Sequence, residues 1–385
     1  MLKIKIIRFT VGALFFILCL YLIPYNWCSR DGDAWYRGDK ELHQKLSSGV
    51  EKWINCELSS EDYSTGSDTF SGEWLFGTYM MAAMGFGQTA ILYPELKDKN
   101  MELMNKCIEK MISEKGREFD SNCWCEDPLA SLEGDKHHAA YLGYLNLTLS
   151  LQRFIDPNSR YAKLNDKITA ALVKRLEATP EFILFTYPGE LYPVDNCSII
   201  GSIGLYDRAT GSDHSELIKR WIKTYREKYI NKETGLLYQA MKPDKKTPFD
   251  PGRGSGTAFG AYFLSFTDLE LSRDLYMALK KELFGTVIGF GAVREYPSAM
   301  SEGEGDIDSG PIVFGFGVSA TGFAIADTRI HRDKETFLKL YATSFLFGAP
   351  VDRGDRRDYI MGGPLGNCIM FAMLTASPVI ERKEK

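Results

Sequence analysis

The chain has 385 residues, with 46 Lys and Arg against 51 Asp and Glu, a formal net charge of −5 and a pI near 5.7. Its 44% hydrophobic and 25% charged residues are an ordinary globular composition, and the absence of any basic stripe argues against a nucleic-acid binder. The length suits one large domain or two ordinary ones.

At the N-terminus, Lys3, Lys5 and Arg8 precede an uncharged run from Phe9 to Ser29 with its apolar heart at Val11 to Ile23. Flanking charge and run length predict a signal anchor over residues 1–28. No Ala-x-Ala-like cleavage site follows. The positive-inside rule puts the three basic residues in the cytoplasm and the main domain on the extracytoplasmic, periplasmic side. Residues 29–38 read as a polar linker.

From residue 39 onward the chain reads as about twelve helices: 39–56, 72–92, 97–115, 136–155, 158–176, 195–209, 212–229, 253–266, 268–284, 309–329, 331–348 and 362–376. They alternate in character. Lys99 to Lys115, Arg160 to Leu176, Asp213 to Tyr229 and Asp268 to Leu283 are charged and amphipathic. Gly72 to Tyr93, Ala139 to Phe154, Ser198 to Leu205 and Pro311 to Ala326 are small, apolar and Gly/Ala-rich. In 212–229, Leu217, Ile218, Trp221, Ile222 and Tyr225 recur on one helix face while Lys219, Arg220 and Lys223 face away. Amphipathic helices cover a core, whereas small-residue helices are buried nearly all round. Six such pairs predict an all-α (α/α)6 toroid over residues 39–380, its inner helices closing a ring. Phe182 to Tyr187, Gly235 to Ala240 and Thr286 to Tyr296 look strand-like and suit rim hairpins rather than a central sheet. No flexible linker divides the chain after residue 38.

In such a ring all inner helices start at one end, and the loops feeding them converge there over a central hollow. The feeding segments are Thr69 to Trp74, Cys125 to Asn146, Tyr187 to Asn196, Asp250 to Thr257, Arg294 to Pro311 and Asp352 to Pro364. The third, YPGELYPVDN, gathers Glu190, Tyr192 and Asp195 within six residues. Two carboxylates beside a phenol divide acid and base roles if burial separates their pKa values, although Asp195 or Asn196 would equally serve as a helix cap. The fifth segment holds Arg294, Glu295, Tyr296, Glu302, Glu304, Asp306 and Asp308. Asp306 and Asp308 resemble the start of a calcium loop, but the third ligand, the Gly and the distant Glu are missing. Asp308 or Ser309 also suits a helix cap. Arg253, between two glycines, suits an anionic group. His137 and His138, adjacent on an expected helix, cannot both face one site, and His138 is the candidate. No P-loop, nucleophile elbow, zinc-protease or dinucleotide fingerprint is present.

Eight cysteines occur: Cys19 within the anchor and seven after it, an odd number that leaves at least one thiol free or paired between chains. Cys56 and Cys107 fall near the ends of early helices, where a bridge would fit. Cys123 and Cys125 lack metal-knuckle spacing, and no metal site is expected. Asn146-Leu-Thr148 and Asn196-Cys-Ser198 match the glycosylation sequon, a pattern that arises easily by chance.

At YLGYLNLTLSL (Tyr141 to Leu151), YPGELYPVDN with LYDRATG (Leu205 to Gly211), and GDIDSGPIVFGFGVSATGFAIA (Gly305 to Ala326), the chain resembles the linalool dehydratase/isomerase family. The resemblance implies an (α/α)6 barrel, cofactor-free acid/base chemistry on an allylic alcohol, a periplasmic setting and an early disulfide at Cys56 and Cys107. It also marks departures. Where the family uses thiols this chain holds Thr186 and Asp195, and Tyr144 stands in the place of its histidine.

These readings converge on a membrane-anchored extracytoplasmic enzyme without a cofactor. Glu190 and Asp195 would supply acid and base, with Tyr144 and Tyr296 orienting the substrate. Trp74, His138, Tyr192, Arg253, Glu295 and Asp308 would bind it. A glycan or other polyol is the favoured substrate; many (α/α)6 toroids act on glycans, which is analogy of fold alone. A small allylic or terpenoid alcohol is the alternative, and a non-catalytic glycan-binding envelope protein is the third reading. A homo-oligomer is compatible with the sequence.

Overall fold

The computed structural model describes residues 2–297, 305–306 and 309–381. It opens with α1 (Leu2–Ser29), long and apolar enough to cross a membrane. The expected linker is partly helical: α2 (Gly32–Arg37) follows, and Trp35 within it is fully buried. Its indole ring lies 5.2 Å from that of His43 and 6.4 Å from that of Tyr341. A large apolar side chain amid polar neighbours turns the segment into a strap across the domain.

Among the described residues, twelve further helices then alternate between two layers. The outer ones are α3 (Lys40–Ile54), α5 (Lys97–Ile112), α8 (Ala162–Glu177), α10 (Ser215–Lys228), α12 (Leu269–Glu282) and α14 (Lys334–Gly348). The inner ones are α4 (Asp68–Leu92), α7 (Ala139–Ile155), α9 (Pro193–Thr210), α11 (Gly254–Leu264), α13 (Val318–Ile330) and α15 (Gly363–Thr375). Each inner helix packs on the next and α15 packs back on α4, so the ring closes. One extra helix, α6 (Glu114–Trp124), sits between α5 and α7; Ser113 caps it through the Gly116 N–H.

Side-chain size explains the layering. On α10, Leu217, Trp221 and Tyr225 are buried at four-residue spacing while Lys219, Arg220 and Lys223 meet water. Asp39, Asp268 and Asp333 cap α3, α12 and α14. Between inner helices small residues allow close approach. A Cβ at Gly143 would lie 2.5 Å from Ser198 Oγ, and one at Gly201 would lie 2.4 Å from the Phe263 carbonyl oxygen. Buried amides lock the ring: Asn146 donates to Thr169 and Ser202, and Gln88 donates to the Ala372 carbonyl and to Thr375.

Among the described residues every sheet is two-stranded. The antiparallel hairpins are β1 (Tyr238–Met241) with β2 (Pro248–Gly252), β3 (Phe284–Val287) with β4 (Phe290–Val293), β5 (Ile312–Val313) with β6 (Phe316–Gly317), and β7 (Pro350–Arg353) with β8 (Arg356–Tyr359). All lie on connections that feed α11, α13 and α15. Residues 182–187 form no strand. Phe182 has φ +51°, and the Leu184 N–H and carbonyl are both taken by the Asn196 side chain. The expected helix 309–329 begins only at Val318, because the β5–β6 hairpin occupies its first residues.

Two expectations from the sequence do not hold, the Cys56–Cys107 bridge and the helical place of His137 and His138. Cys56 and Cys107 are separate thiols, Cys56 exposed beyond α3 and Cys107 buried on α5 within electrostatic reach of Cys368. Asn146 and Asn196 are fully buried in the inner ring, so neither sequon is accessible. His137 and His138 precede α7 instead of lying on it, His138 with φ +50°.

Candidate functional site

Short of the far end of the ring, inner-helix residues that remain half-exposed look into its hollow, because outer helices cover the other faces. On α4, α13 and α15 these include Gly77, Gly322 and Gly366. A Cβ at Gly322 or Gly366 would meet nothing within 4 Å, so the space beside them is open. The wall is aromatic: Phe259 on α11 stacks on Phe323 of α13 with ring centres 4.2 Å apart, and Tyr144 on α7 lies 6.2 Å from Phe259 and 5.3 Å from Phe263.

Asp195 is set into this wall. Pro193 fixes the first turn of α9, and Asp195 is the third residue of that turn, 6% exposed. One carboxylate oxygen accepts from Tyr144 O–H, the other from Thr186 Oγ at 2.6 Å. Three local features bring these groups together. The Asn196 clamp on Leu184 folds residues 183–195 back on themselves. Trp124 Nε1 donates to the Thr186 carbonyl at 3.3 Å. Gly143 lets α7 lie close enough to α9 for Tyr144 to reach across. Burial lifts the Asp195 carboxyl from 3.8 to about 6, against the opposing pull of the two hydrogen bonds.

Above Asp195 sits a rim of acids and phenols. Glu190 is exposed and accepts from Tyr192 O–H at 3.0 Å. Buried Tyr187 donates to Glu73 Oε2 at 2.8 Å and lies within electrostatic reach of both Glu73 and Asp195. The half-buried Cys123 thiol is pushed up first by burial and further by Asp120, Glu190 and Glu73, against the lowering effect of its bond with Thr69. Sequence reasoning misses Glu73, Cys123 and Tyr187 as site residues. Glu73 does lie in the segment feeding α4, and Tyr187 opens the segment feeding α9.

His138, Arg253 and Glu295 are engaged within the protein. His138 is fully buried beneath Trp124, with Nδ1 2.6 Å from Asp120 and Nε2 3.1 Å from Glu126, so both ring nitrogens are engaged by the protein. Arg253 is 3% exposed and already paired with acids of the chain: Nη1 reaches Asp306 at 2.5 Å and Tyr296 O–H at 3.2 Å, and Nε lies 3.3 Å from Asp250. A guanidinium already flanked by two carboxylates is not an open anion site. Glu295 is fully buried under the start of α11, accepting from Ser255 Oγ at 2.5 Å and Ser255 N–H at 3.3 Å. Its Oε2 sits against Gly317, where a Cβ would come within 2.4 Å. Trp74 is half-buried, edge-on to Tyr63. Asp308, with Glu302 and Glu304, lies outside the described residues.

Among the described residues no group of three His, Cys, Asp or Glu side chains is placed to hold a metal ion. A shallow depression of about 450 Å³ lies at the far end of the ring, lined by Asp207, Arg208, Ser212, Asp213, Thr267 and Asp268. Asp207 there is committed to the His214 N–H and ring, and the depression holds none of the candidate site residues.

Three solved structures share the architecture. A GH76 alpha-mannanase of Bacteroides thetaiotaomicron is 11% identical (TM-score 0.51; 90% of this chain, 94% of that one). A family 105 glycoside hydrolase of C. acetobutylicum is 13% identical (TM-score 0.51; 86% and 99%). Dfg5 of Chaetomium thermophilum, in complex with glucosamine, is 13% identical (TM-score 0.53; 90% and 92%). At such identities they show the fold, an (α/α) barrel. The stretch that carries Tyr144, Thr186, Asp195, Phe259 and Arg253 is more specific: residues 136–318 match the family model described as linalool dehydratase/isomerase.

Proposed function

We propose that this protein is a membrane-anchored enzyme of acid/base chemistry, acting on an alcohol with an apolar body by elimination of water or allylic isomerisation. The observation that carries the reading is Asp195. It is a carboxyl lifted to about 6 by burial and held by Thr186 and by Tyr144, whose ring packs against Phe259 and Phe263. Near neutral pH a useful fraction of such a group is protonated and can donate. The proton balance closes on one residue. Asp195 gives its proton to the leaving hydroxyl, the C–O bond breaks and water departs. The carboxylate then takes a proton from the neighbouring carbon as the double bond forms. Phe259 and Phe323 would face the positive charge that develops on the allylic carbons. Tyr144 and Thr186 would hold the carboxylate in place between the two transfers.

The rim of Glu73, Tyr187, Glu190 and Tyr192 favours the second reading, a glycan or polyol whose hydroxyls these groups would bind. The two readings separate in one experiment. Purified full-length protein is offered a series of terpenoid allylic alcohols, with alkenes and allylic isomers read by gas chromatography, and in parallel a panel of oligosaccharides, with new reducing ends measured. Alkene or isomer formation that disappears in Asp195→Asn supports the first reading. Turnover that is unchanged in that variant removes Asp195 from the mechanism, and sugar release moves the assignment to the rim.

The packing of α1 supports retention of the anchor. Tyr25 sits edge-on to Phe290 of β4 at 5.6 Å, Cys28 is buried, and α1 packs along α14. A segment destined for removal has no use for such contacts. An extracytoplasmic domain is the reading that Lys3, Lys5 and Arg8 support by the positive-inside rule, and a protease-accessibility assay on sealed spheroplasts tests it.

A further inference from the structure

Where α1 meets the domain, the surface is apolar. The β3–β4 turn carries Val287 and Ile288, 58% and 53% exposed, and the last turn of α14 carries Leu346 and Phe347, 49% and 58% exposed. Both places touch α1 or its exit. A Cβ on Gly289 would lie 3.1 Å from the Tyr25 ring. Phe345, one residue before Leu346, lies beneath the Arg30 guanidinium, which also covers Trp27.

Helix geometry fixes the depth of these contacts. The hydrocarbon core is about 30 Å thick, which takes about 20 residues at roughly 1.5 Å each. Counted from Phe9, just after Arg8, an upright α1 leaves the core close to Tyr25 and Trp27, the residue types that favour the interface. Side chains packed against those two residues lie at the same level. We propose that Val287, Ile288, Leu346 and Phe347 form a collar around α1 that inserts into the interfacial zone of the bilayer α1 crosses. The domain is then seated on the membrane rather than hanging from it.

The seating has an orientation. α14 runs toward the end of the ring at which the inner helices start, because it leads through β7–β8 into α15. Leu346 and Phe347 therefore mark the mouth end, and the sector of rim between α13 and α15 opens beside the lipid. The proposal does not depend on which reaction the hollow supports.

Nitroxide labels on full-length protein in phosphatidylethanolamine/phosphatidylglycerol vesicles test it. The background is Cys19→Ala, Cys56→Ser, Cys123→Ala and Cys125→Ser, with Ile288→Cys or Phe347→Cys added, and Lys167→Cys on the opposite outer helix α8 as the aqueous reference. The ratio of collisions with oxygen to collisions with a water-soluble nickel chelate is expected to be several-fold higher at 288 and 347 than at 167. Equal ratios overturn the proposal. So do labels shielded from both reagents and broadened by a neighbouring spin, which would mean that a second copy of the chain covers the patch. If cysteine substitution unsettles the turn, Ile288→Trp and Phe347→Trp give the same reading. A new component quenched by dibrominated acyl chains is expected, and its absence counts against the collar.

Discussion

Replacing Asp195 with Asn isolates an acid that burial displaces in the wall of the hollow. The folded protein holds the Asp195 proton more tightly than the unfolded chain does, since burial lifts the carboxyl from 3.8 to about 6. Its contribution to stability is therefore fully present below about pH 4 and is lost as pH rises through about 6. A displacement of about two pH units corresponds to about 3 kcal/mol. For a chain of this size the unfolding entropy makes that roughly 4 °C in Tm. Asn cannot ionise. Whatever it costs through a misplaced amide is the same at every pH, so the difference in Tm between variant and parent isolates the charge. That difference is expected to rise by roughly 4 °C between about pH 4 and about pH 8, in favour of Asn at the alkaline end. Differential scanning fluorimetry in one detergent across that range measures it. A difference that stays flat, or that falls, would show that the carboxylate is well solvated, and the acid role assigned to it would go.

Other contacts give outcomes that are as direct. Trp35→Ala empties a fully buried site under the strap and should cost about 3–5 kcal/mol, visible as a lower midpoint in chemical denaturation. Gly143→Ala sets a methyl 2.5 Å from Ser198 Oγ and should cost about 1–3 kcal/mol. Because it moves α7 away from α9, it should also lower turnover of any substrate that needs the Tyr144–Asp195 pair. Alkylation of the native protein under non-reducing conditions should modify Cys56 and Cys125 and spare Cys107, Cys197 and Cys368, and peptide mapping should find no Cys56–Cys107 bridge.

Hydrophobic period makes the ring legible, because alternation between charged amphipathic helices and Gly/Ala-rich ones is the direct imprint of two layers. The same signal fails where an element is short or its apolar residue stands alone. Trp35 in a polar stretch reads as linker, and α6 falls in the gap between two stronger patterns. The β5–β6 hairpin carries apolar residues and glycines that continue the pattern of α13, so its strands read as helix. The site divides in the same way. Tyr144 and Asp195 lie 51 positions apart and meet only because Gly143 and the Asn196 clamp bring α7 and α9 together. Their pairing is legible through the family resemblance rather than through spacing. Arg253, Glu295 and His138 read as open because sequence shows charge but not its partners. Asp306, Ser255 and Asp120, which engage them, lie 53, 40 and 18 positions away.

The position of Asp195 also decides between two opposing fields. It stands in the first turn of α9, where the partial positive charge of the helix end favours the carboxylate by about 0.3–1 kcal/mol when exposed, and by up to about 2 kcal/mol when partly buried. Thr186 and Tyr144 pull the same way through their hydrogen bonds. The carboxyl nevertheless sits near 6, so desolvation outweighs the two hydrogen bonds. Buried Tyr187, Cys197 and Tyr225 lie around it, and Phe259 and Phe263 pack against the Tyr144 ring that donates to it. The aromatic wall behind Tyr144 thus backs the acid's hydrogen-bond partner and offers a surface for an apolar substrate. Phe259→Asn would admit water to that wall. The Asp195 carboxyl should then fall toward its ordinary value, and turnover near neutral pH should drop with it, the pH profile moving to the acid side. An unmoved profile would mean that some other group supplies the proton.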